Sequence, residues 1–388
     1  MKIPRVTGRR RRRDRTLSVD RDMTTSPIGW PIEALDTPVL LVDLDVLERN
    51  LQRMKRVIID EAGIAWRPHT KGMKTPALAH MLMRAGAHGI TCAKLSEAEV
   101  MAAGGIQNIL ISNQVVGSQK AARLARLQHS TSVLSCVDSE RGTAFLGEAA
   151  RKEGTRIPVV IEVDTGMGRA GVLPGDATVA LAKKVDQVEG VDLVGLMTWE
   201  SAAAKEPDID AKKAAATRML TGLTDSADAC RAAGLNMEIV TCGGTLTYWF
   251  SAFHPGVTEM QAGGGIYGDA MYCHKFGVDH EFAVTIMSTV TSRPTGHRII
   301  CDAGKKTMSA DMASPIPQGI GEVAEQKESA EHGIIELAEA SDTPAVGDHL
   351  HWIAGYSDTT VFLHNELVAT RAGVVEAVWP LLGRGKLT

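Results

Sequence analysis

"AGIAWRPHTKGMK", residues 62–74, is a short apolar run that ends in arginine, histidine and two lysines. A strand that leaves a core and finishes in charge must place that charge somewhere. The same pattern recurs along the chain: "GITCAK" (89–94), "NILISN" (108–113), "SVLSCVD" (132–138), "PVVIEVD" (158–164), "LVGLMTWE" (193–200), "MEIVTCGG" (237–244) and "VTEMQAGG" (257–264). Each is a brief apolar run closed by polar or glycine residues. Most intervals hold a helix-like stretch, such as "TPALAHMLMRAGA" or "KLSEAEVMAAGG". Near-continuous apolar strands suit a parallel sheet covered on both faces. Eight strand–helix units in about 220 residues match a (β/α)8 barrel, an α/β architecture. A doubly wound open sheet is the alternative.

Upstream, "VLLVDLD" leads into a helix with Leu47, Leu51, Met54 and Ile58 on one face, and Asp43 or Asp45 can cap it. From about residue 276 the pattern changes to alternating strands, as in "FAVTIMSTVTSR", "HRIICDAGKK" and "DHLHWIAG". The expected organisation is a disordered basic tail over 1–26, a barrel over 27–275 and a smaller β-rich C-terminal domain over 276–388. The residues before Thr37 are expected to pack on the last.

Composition agrees with a large globular core: 44% of the 388 residues are apolar and 23% are charged. The first 22 residues hold nine Lys/Arg against three Asp/Glu, so the rest of the chain is acidic within a net charge of −4. The run Arg9–Arg13 reads as a solvated tail rather than a nucleic-acid patch. Met23 opens a stretch that reads like a natural start. No apolar segment follows the arginines, which argues against a signal peptide, and no run is long enough to span a membrane. Six cysteines without a CxxC pair fit reduced thiols in a cytoplasmic enzyme. Nothing matches a nucleic-acid-binding motif.

A barrel builds its active site at the C-terminal ends of its strands. Those ends supply His69, Lys71, Cys92, Lys94, Asn113, Asp138, Asp164, Arg169, Trp199, Glu200, Cys242 to Thr245 and Gln261 to Gly265. Two glycine clusters, "CGGT" (242–245) and "AGGGIYGD" (262–269), follow the last two strands, where bare backbone N–H groups can close on a phosphate. A phosphate site facing a lysine suggests pyridoxal 5'-phosphate, which bonds to a lysine amine. Arg169, in "DTGMGRAG", is a candidate donor to the ring's phenolic oxygen. On spacing alone, Lys71 reads equally well as a solvated lysine at a strand end.

With these residues in view, the chain resembles the D-threonine aldolase and D-serine dehydratase group of pyridoxal-phosphate enzymes, relatives of alanine racemase with a barrel and a β-domain. "RPHTKGMK" resembles that family's Arg-x-His-x-Lys-x-x-Lys signature. The resemblance implies that Lys71, rather than Lys74, bonds the cofactor. "EVDTGMGRAGV" is similar to the family's fifth strand and puts Arg169 at the cofactor's oxygen. "CGGT" and "QAGGGIYGD" resemble its phosphate turns, which points to Gly244, Thr245, Gly263 and Gly264. "DAGKK" and "EHGII" resemble β-domain landmarks, the second with Glu331 and His332. The resemblance also implies a small-molecule amino acid substrate and a homodimer.

Two departures stand out. Many family members hold a divalent metal with a His-x-Asp or His-x-Cys pair, and here "AGYSDTT" puts Tyr356 where the histidine is expected, leaving Asp358. One carboxylate is a weak site. His349 and His351, on one face of a strand, read as ordinary strand histidines rather than replacement ligands, and no metal ligand is assigned. The family's aromatic-His pair is replaced by Trp199 and Glu200. Glu200 reads either as a neighbour of the cofactor ring or substrate amine, or as solvated. The expected activity is aldol cleavage of a D-configured β-hydroxy amino acid. The alternatives are a racemase or epimerase with Lys71 and Tyr356 as its two bases, a dehydratase without the usual metal, and a non-catalytic cofactor-binding protein. The β-rich C-terminal domain argues against the last of these.

Overall fold

The computed structural model describes residues 26–388. Apart from Ser26, the expected basic tail lies outside the described residues. After β1 (Val39–Asp43) and the helix Leu44–Lys55 come eight parallel strands. They are β2 (Ala65–Trp66), β3 (Ile90–Cys92), β4 (Ile109–Gln114), β5 (Val133–Val137), β6 (Ile157–Glu162), β7 (Val191–Met197), β8 (Ile239–Cys242) and β9 (Glu259–Met260). Each overlaps an expected run; β4 ends one residue past its run, and β6 and β7 begin one and two residues before theirs. They pair in the order β2-β9-β8-β7-β6-β5-β4-β3. The ends of that series meet where the backbone continues past β2: Thr70 N donates to Thr91 O at 2.8 Å, and Thr91 N to Pro68 O at 2.9 Å. The sheet therefore curls into a barrel, not an open doubly wound sheet.

Alternation along each strand explains the continuous apolar runs. Ile109 and Ile111, Val133 and Val137, and Val159 and Ile161 pack in the outer core, beneath helices such as Ser118–Leu127 and Glu140–Glu153. Their neighbours Leu110, Leu134, Cys136 and Val160 join Met197 in a separate cluster that fills the barrel. Burial on both faces is what a period-two strand needs when helices cover the outside.

The second sheet holds β10 (Val284–Ser292), β11 (Arg298–Cys301), β12 (Ile316–Pro317), β13 (Val323–Glu328), β14 (Gly333–Leu337), β15 (His349–Ile353), β16 (Glu366–Arg371) and β17 (Val374–Pro380). Its main path is β13-β14-β11-β10-β1-β16-β17, and β15 adds to β10 with β12 on its other side. β1 therefore lies in this sheet, although its residues fall within the 27–275 stretch read as barrel. It runs antiparallel to β10 and parallel to β16. The helix Leu44–Lys55 follows at once, with the Asp43 carboxylate accepting from Val46 N at 3.0 Å. One turn of chain thus ties the two domains together. The landmarks "DAGKK" and "EHGII" meet in the second domain: Lys306 pairs with Glu331 at 2.5 Å, and Lys305 N donates to Ser329 O at 2.9 Å.

Candidate active site

The turn after β2 sends its two lysines in different directions. Lys74 is buried against Glu97 at 3.2 Å. Lys71 emerges into a cavity of about 320 Å³ at the barrel mouth. Its side chain is 36% exposed, and its Nζ lies 2.9 Å from Asp358 Oδ2 and 3.5 Å from Tyr356 Oη. Tyr356 Oη donates to Asp358 Oδ2 at 2.6 Å. Tyr356 and Asp358 come from the bend after β15 and the start of the helix Ser357–Val361, so the β-domain closes one side of the mouth.

Charge in this trio is strongly coupled. Asp358 raises the Lys71 amine above its ordinary range, and burial opposes it. Burial pushes the Asp358 carboxyl up, but Lys71 and the Tyr356 hydrogen bond outweigh it and hold the carboxyl low. Burial, then the Asp358 charge, pushes the Tyr356 phenol up against the pull of Lys71. A standing tyrosinate base is therefore not what this site holds; the phenol keeps its proton and donates it to Asp358. Burial and the Lys71 charge depress His69 to about 3, so its imidazole is neutral. Its Nδ1 accepts from Lys71 N at 3.3 Å and its Nε2 lies 3.3 Å from Ser112 Oγ.

Lys71, Tyr356, Arg169, Gly244, Thr245, Gly263 and Gly264 all line this one cavity, as do His69, Asn113, Trp199 and Gln261. Arg169 stacks over the Trp199 ring at 4.9 Å and reaches Glu162 Oε1 at 3.3 Å. The loop that carries Arg169 is folded by Asp164, whose carboxylate accepts from the N–H groups of Gly166, Met167 and Gly168. Asp138 lies 3.4 Å from Gly171 N, and Lys94 sits at the start of the helix Leu95–Ala103. Cys92 and Cys242 are fully buried beneath the mouth.

The glycine turns test whether a phosphorylated cofactor fits. A Cβ at Gly244 would lie 2.8 Å from Trp199 Nε1, and one at Gly264 would lie 2.8 Å from Tyr272 Oη. A Cβ at Gly263 would strike the His69 backbone. A side chain at Gly263 is blocked by backbone, one at Gly244 or Gly264 would force Trp199 or Tyr272 to shift, and the bare backbone comes right up to the cavity. Gly265 N donates to Thr245 Oγ1 at 2.9 Å, stitching the two turns together. A cradle with bare backbone on one side, and a lysine and arginine on the other, fits pyridoxal phosphate.

Glu200 does neither of the things its sequence suggests. It is fully buried under the first glycine turn, accepting from Gly243 N at 2.9 Å and from Thr247 Oγ1 at 2.7 Å. Burial raises its carboxyl, and the donors around it oppose the rise. Its task is to hold the turn. Tyr272, Ser112 and Glu162 also shape the site without having been singled out in the sequence. Glu162 had a local signal, a carboxylate at the end of β6, whereas Tyr272 had none.

The family's metal does not fit this donor set. Asp358 Oδ2 is taken by Lys71 and Tyr356, which leaves Oδ1 as a lone donor atom, and a phenol held in its protonated form is a poor second ligand. Neither His349 nor His351 lines the cavity at the mouth. Among the described residues, no group of three or more His, Cys, Asp or Glu side chains could hold an ion.

Residues 42–271 match the family model described as alanine racemase, N-terminal domain, and residues 283–370 match a serine dehydratase domain. The chain is similar to a D-threonine aldolase of Arthrobacter sp., 32% identical over 92% of this chain and 95% of that protein. It is similar to the 3-hydroxy-D-aspartate aldolase of Paracoccus denitrificans (strain Pd 1222), 33% identical over 94% of this chain and 98% of the relative. Among solved structures it superposes on D-threonine aldolase from Filomicrobium marinum with a TM-score of 0.90, at 35% identity, covering 94% of this chain and 99% of that one.

Proposed function

The chain belongs to the D-threonine aldolase and D-serine dehydratase family of alanine-racemase-like pyridoxal-phosphate enzymes, and from that premise we propose that it cleaves a D-configured β-hydroxy amino acid such as D-threonine to glycine and an aldehyde. The observation that carries the assignment of residues is the meeting of Lys71, Tyr356 and Asp358 at the edge of one glycine-lined cavity. The wall around Tyr356 is apolar, built from Leu246, Met271, Tyr272 and Phe276, and suits a substituent like the methyl group of threonine.

Gly244, Thr245, Gly263 and Gly264 would hold the cofactor's phosphate, Arg169 its phenolic oxygen and Lys71 its aldehyde carbon. When bound, the cofactor supplies an electron sink for the substrate's α-carbon. The residues of the chain manage protons. Lys71 Nζ must shed a proton before it can bond carbon, and Asp358 Oδ2 is the acceptor within reach at 2.9 Å. Breaking the bond between the α- and β-carbons requires the β-hydroxyl to give up its proton. We assign that proton to Tyr356 Oη, which passes its own along the 2.6 Å hydrogen bond to Asp358 Oδ2 once Asp358 has released the Lys71 proton to solvent. A phenol pushed upward suits such a relay, since it accepts only as it donates. Neutral His69 braces the Lys71 backbone through Nδ1.

We also propose that the protein works as a homodimer in the cytoplasm. The family resemblance supports the dimer, and six free cysteines support a reducing compartment. Among the described residues no helix is long and apolar enough to cross a membrane. The purified protein with pyridoxal phosphate should release acetaldehyde and glycine from D-threonine and leave L-threonine untouched. Release of a 2-oxo acid and ammonia would make it a dehydratase instead. Interconversion of amino acid enantiomers without aldehyde would make it a racemase.

A further inference from the structure

The proposed relay depends on Tyr356 and Asp358 standing at fixed positions, and both sit on a short connection that enters from the other domain. A single buried side chain of the barrel holds that connection. Asp269, fully buried in the segment after β9, accepts from Ser357 N at 2.8 Å and from Ser357 Oγ at 2.7 Å through Oδ2. Its Oδ1 accepts from Tyr272 N at 2.8 Å. Ser357 lies between Tyr356 and Asp358 in sequence. Tyr272 lines the cavity, and its ring meets that of Tyr356 edge-on, with centroids 5.9 Å apart. The backbones on either side run together: Ala270 N donates to Ala354 O at 3.0 Å, and Met271 N to Gly355 O at 2.9 Å.

We propose that Asp269 is a positioning residue that fixes both tyrosines and the Asp358 carboxylate at the barrel mouth, an inference that rests on the aldolase reading above. It touches neither the cavity nor Lys71. Its three hydrogen bonds come from two segments that are otherwise joined by two backbone hydrogen bonds and the packing of Tyr272 on Tyr356. Hydrogen bonds to a buried carboxylate are the stronger kind, and they fix direction as well as distance. Burial lifts this carboxyl to about 6, with the donors from Ser357 and Tyr272 opposing the rise. A buried acid in so costly a position, with its three side-chain hydrogen bonds going to the two site-bearing segments, has a task that an apolar side chain could not perform.

The test is Asp269→Asn in the holoenzyme. The amide keeps one acceptor but turns a donor toward either Tyr272 N–H or Ser357 N–H, so one anchor is lost. Turnover of D-threonine should fall about tenfold to a hundredfold, as expected for a displaced reacting group, while KM and the cofactor's dissociation constant change less than about threefold. Tyr356→Phe should lower turnover by itself, and Asp269→Asn should cost less in that background than in wild type, because Asp269 acts in part through Tyr356. Losses that multiply in the double variant, or a single variant within about twofold of wild type, would overturn the proposal. If Asp269→Asn fails to fold, Ser357→Ala removes only the hydroxyl bond and should show a smaller loss with the same dependence on Tyr356. Backbone hydrogen exchange over residues 354–361 should speed up in either variant, a readout that needs no substrate. If wild type releases no aldehyde but exchange still speeds up, the aldolase reading fails and the positioning role stands. Unchanged exchange would refute the positioning role by itself.

Discussion

Lys71 and Lys74 lie three residues apart on one turn, and each pairs with a carboxylate, yet the two pairs differ in almost everything else. Lys74 and Glu97 are 8% and 0% exposed. Glu97 has further donors in Thr70 Oγ1 at 3.3 Å and Ala93 N at 3.0 Å. Both partners belong to the barrel wall. Lys71 is one-third exposed, looks into a cavity, and reaches across to a carboxylate of the other domain. That carboxylate is incompletely satisfied: among the described residues Asp358 Oδ1 has no hydrogen-bond partner. A sealed and saturated pair holds a wall together. An open pair with a spare acceptor stores the capacity to move a proton.

The largest effects should separate the two lysines. Lys71→Ala should cost about 10³-fold or more in aldehyde release and remove the visible absorbance band of the lysine-bound cofactor, while unfolding at nearly the wild-type temperature. Lys74→Met should do the reverse. It leaves Glu97 buried and uncompensated, which costs about 3–5 kcal/mol of stability, and activity per folded molecule should survive. Denaturant unfolding and cofactor absorbance on the two variants check both halves. If Lys74→Met loses the band and Lys71→Ala keeps it, the roles are exchanged.

Why the sequence distinguished some of this and not the rest is visible in individual residues. The eight barrel strands were legible because each is apolar on both faces and ends in a polar group, a pattern contained in six or seven residues. β1 was not, because "VLLVDLD" looks like any strand entering a helix. What puts it in the second sheet is pairing with β16, where Thr370 Oγ1 meets Val42 O from 328 residues away. The cavity-lining glycines were legible as doublets at strand ends. Glu200 and Asp269 were not, since their donors arrive from other parts of the chain: Gly243 and Thr247 for one, Ser357 for the other. Spacing reveals which residues share an element. It does not reveal which buried carboxylate will find donors.

Tyr356 offers a sharper test of why the open pair is open. Tyr356→Phe removes the relay and should lower turnover about a hundredfold, the usual scale of a lost acid–base group. Tyr356→His should do something different. It restores an imidazole beside Asp358, so calorimetric titration of the holoenzyme with Mn²⁺ should go from no uptake in wild type to about one ion per chain. Stoichiometric Mn²⁺ uptake by wild type that Asp358→Asn abolishes would show that Asp358 serves a metal rather than a phenol.

The smallest effect is the dependence of stability on pH through the Lys71–Asp358 pair. Asp358 is held below the ordinary carboxylate range in the folded protein. Its contribution is therefore present above the unfolded value of about 4 and is lost as pH falls through the lower folded value. Lys71 is held above its ordinary range. Its contribution is present below about 10.4 and is lost only as pH rises past that. Between these limits the pair should contribute a constant amount, about 1 kcal/mol once the exposure of Lys71 to solvent is discounted. The thermal midpoint of wild type minus that of Asp358→Asn isolates the acid limb, because the amide does not titrate. That difference should be flat from neutral pH down to about 5 and shrink below 4. A difference that stays flat through the acid range would mean that Asp358 is held by geometry alone, and the contrast with the sealed pair would then rest on exposure rather than on charge.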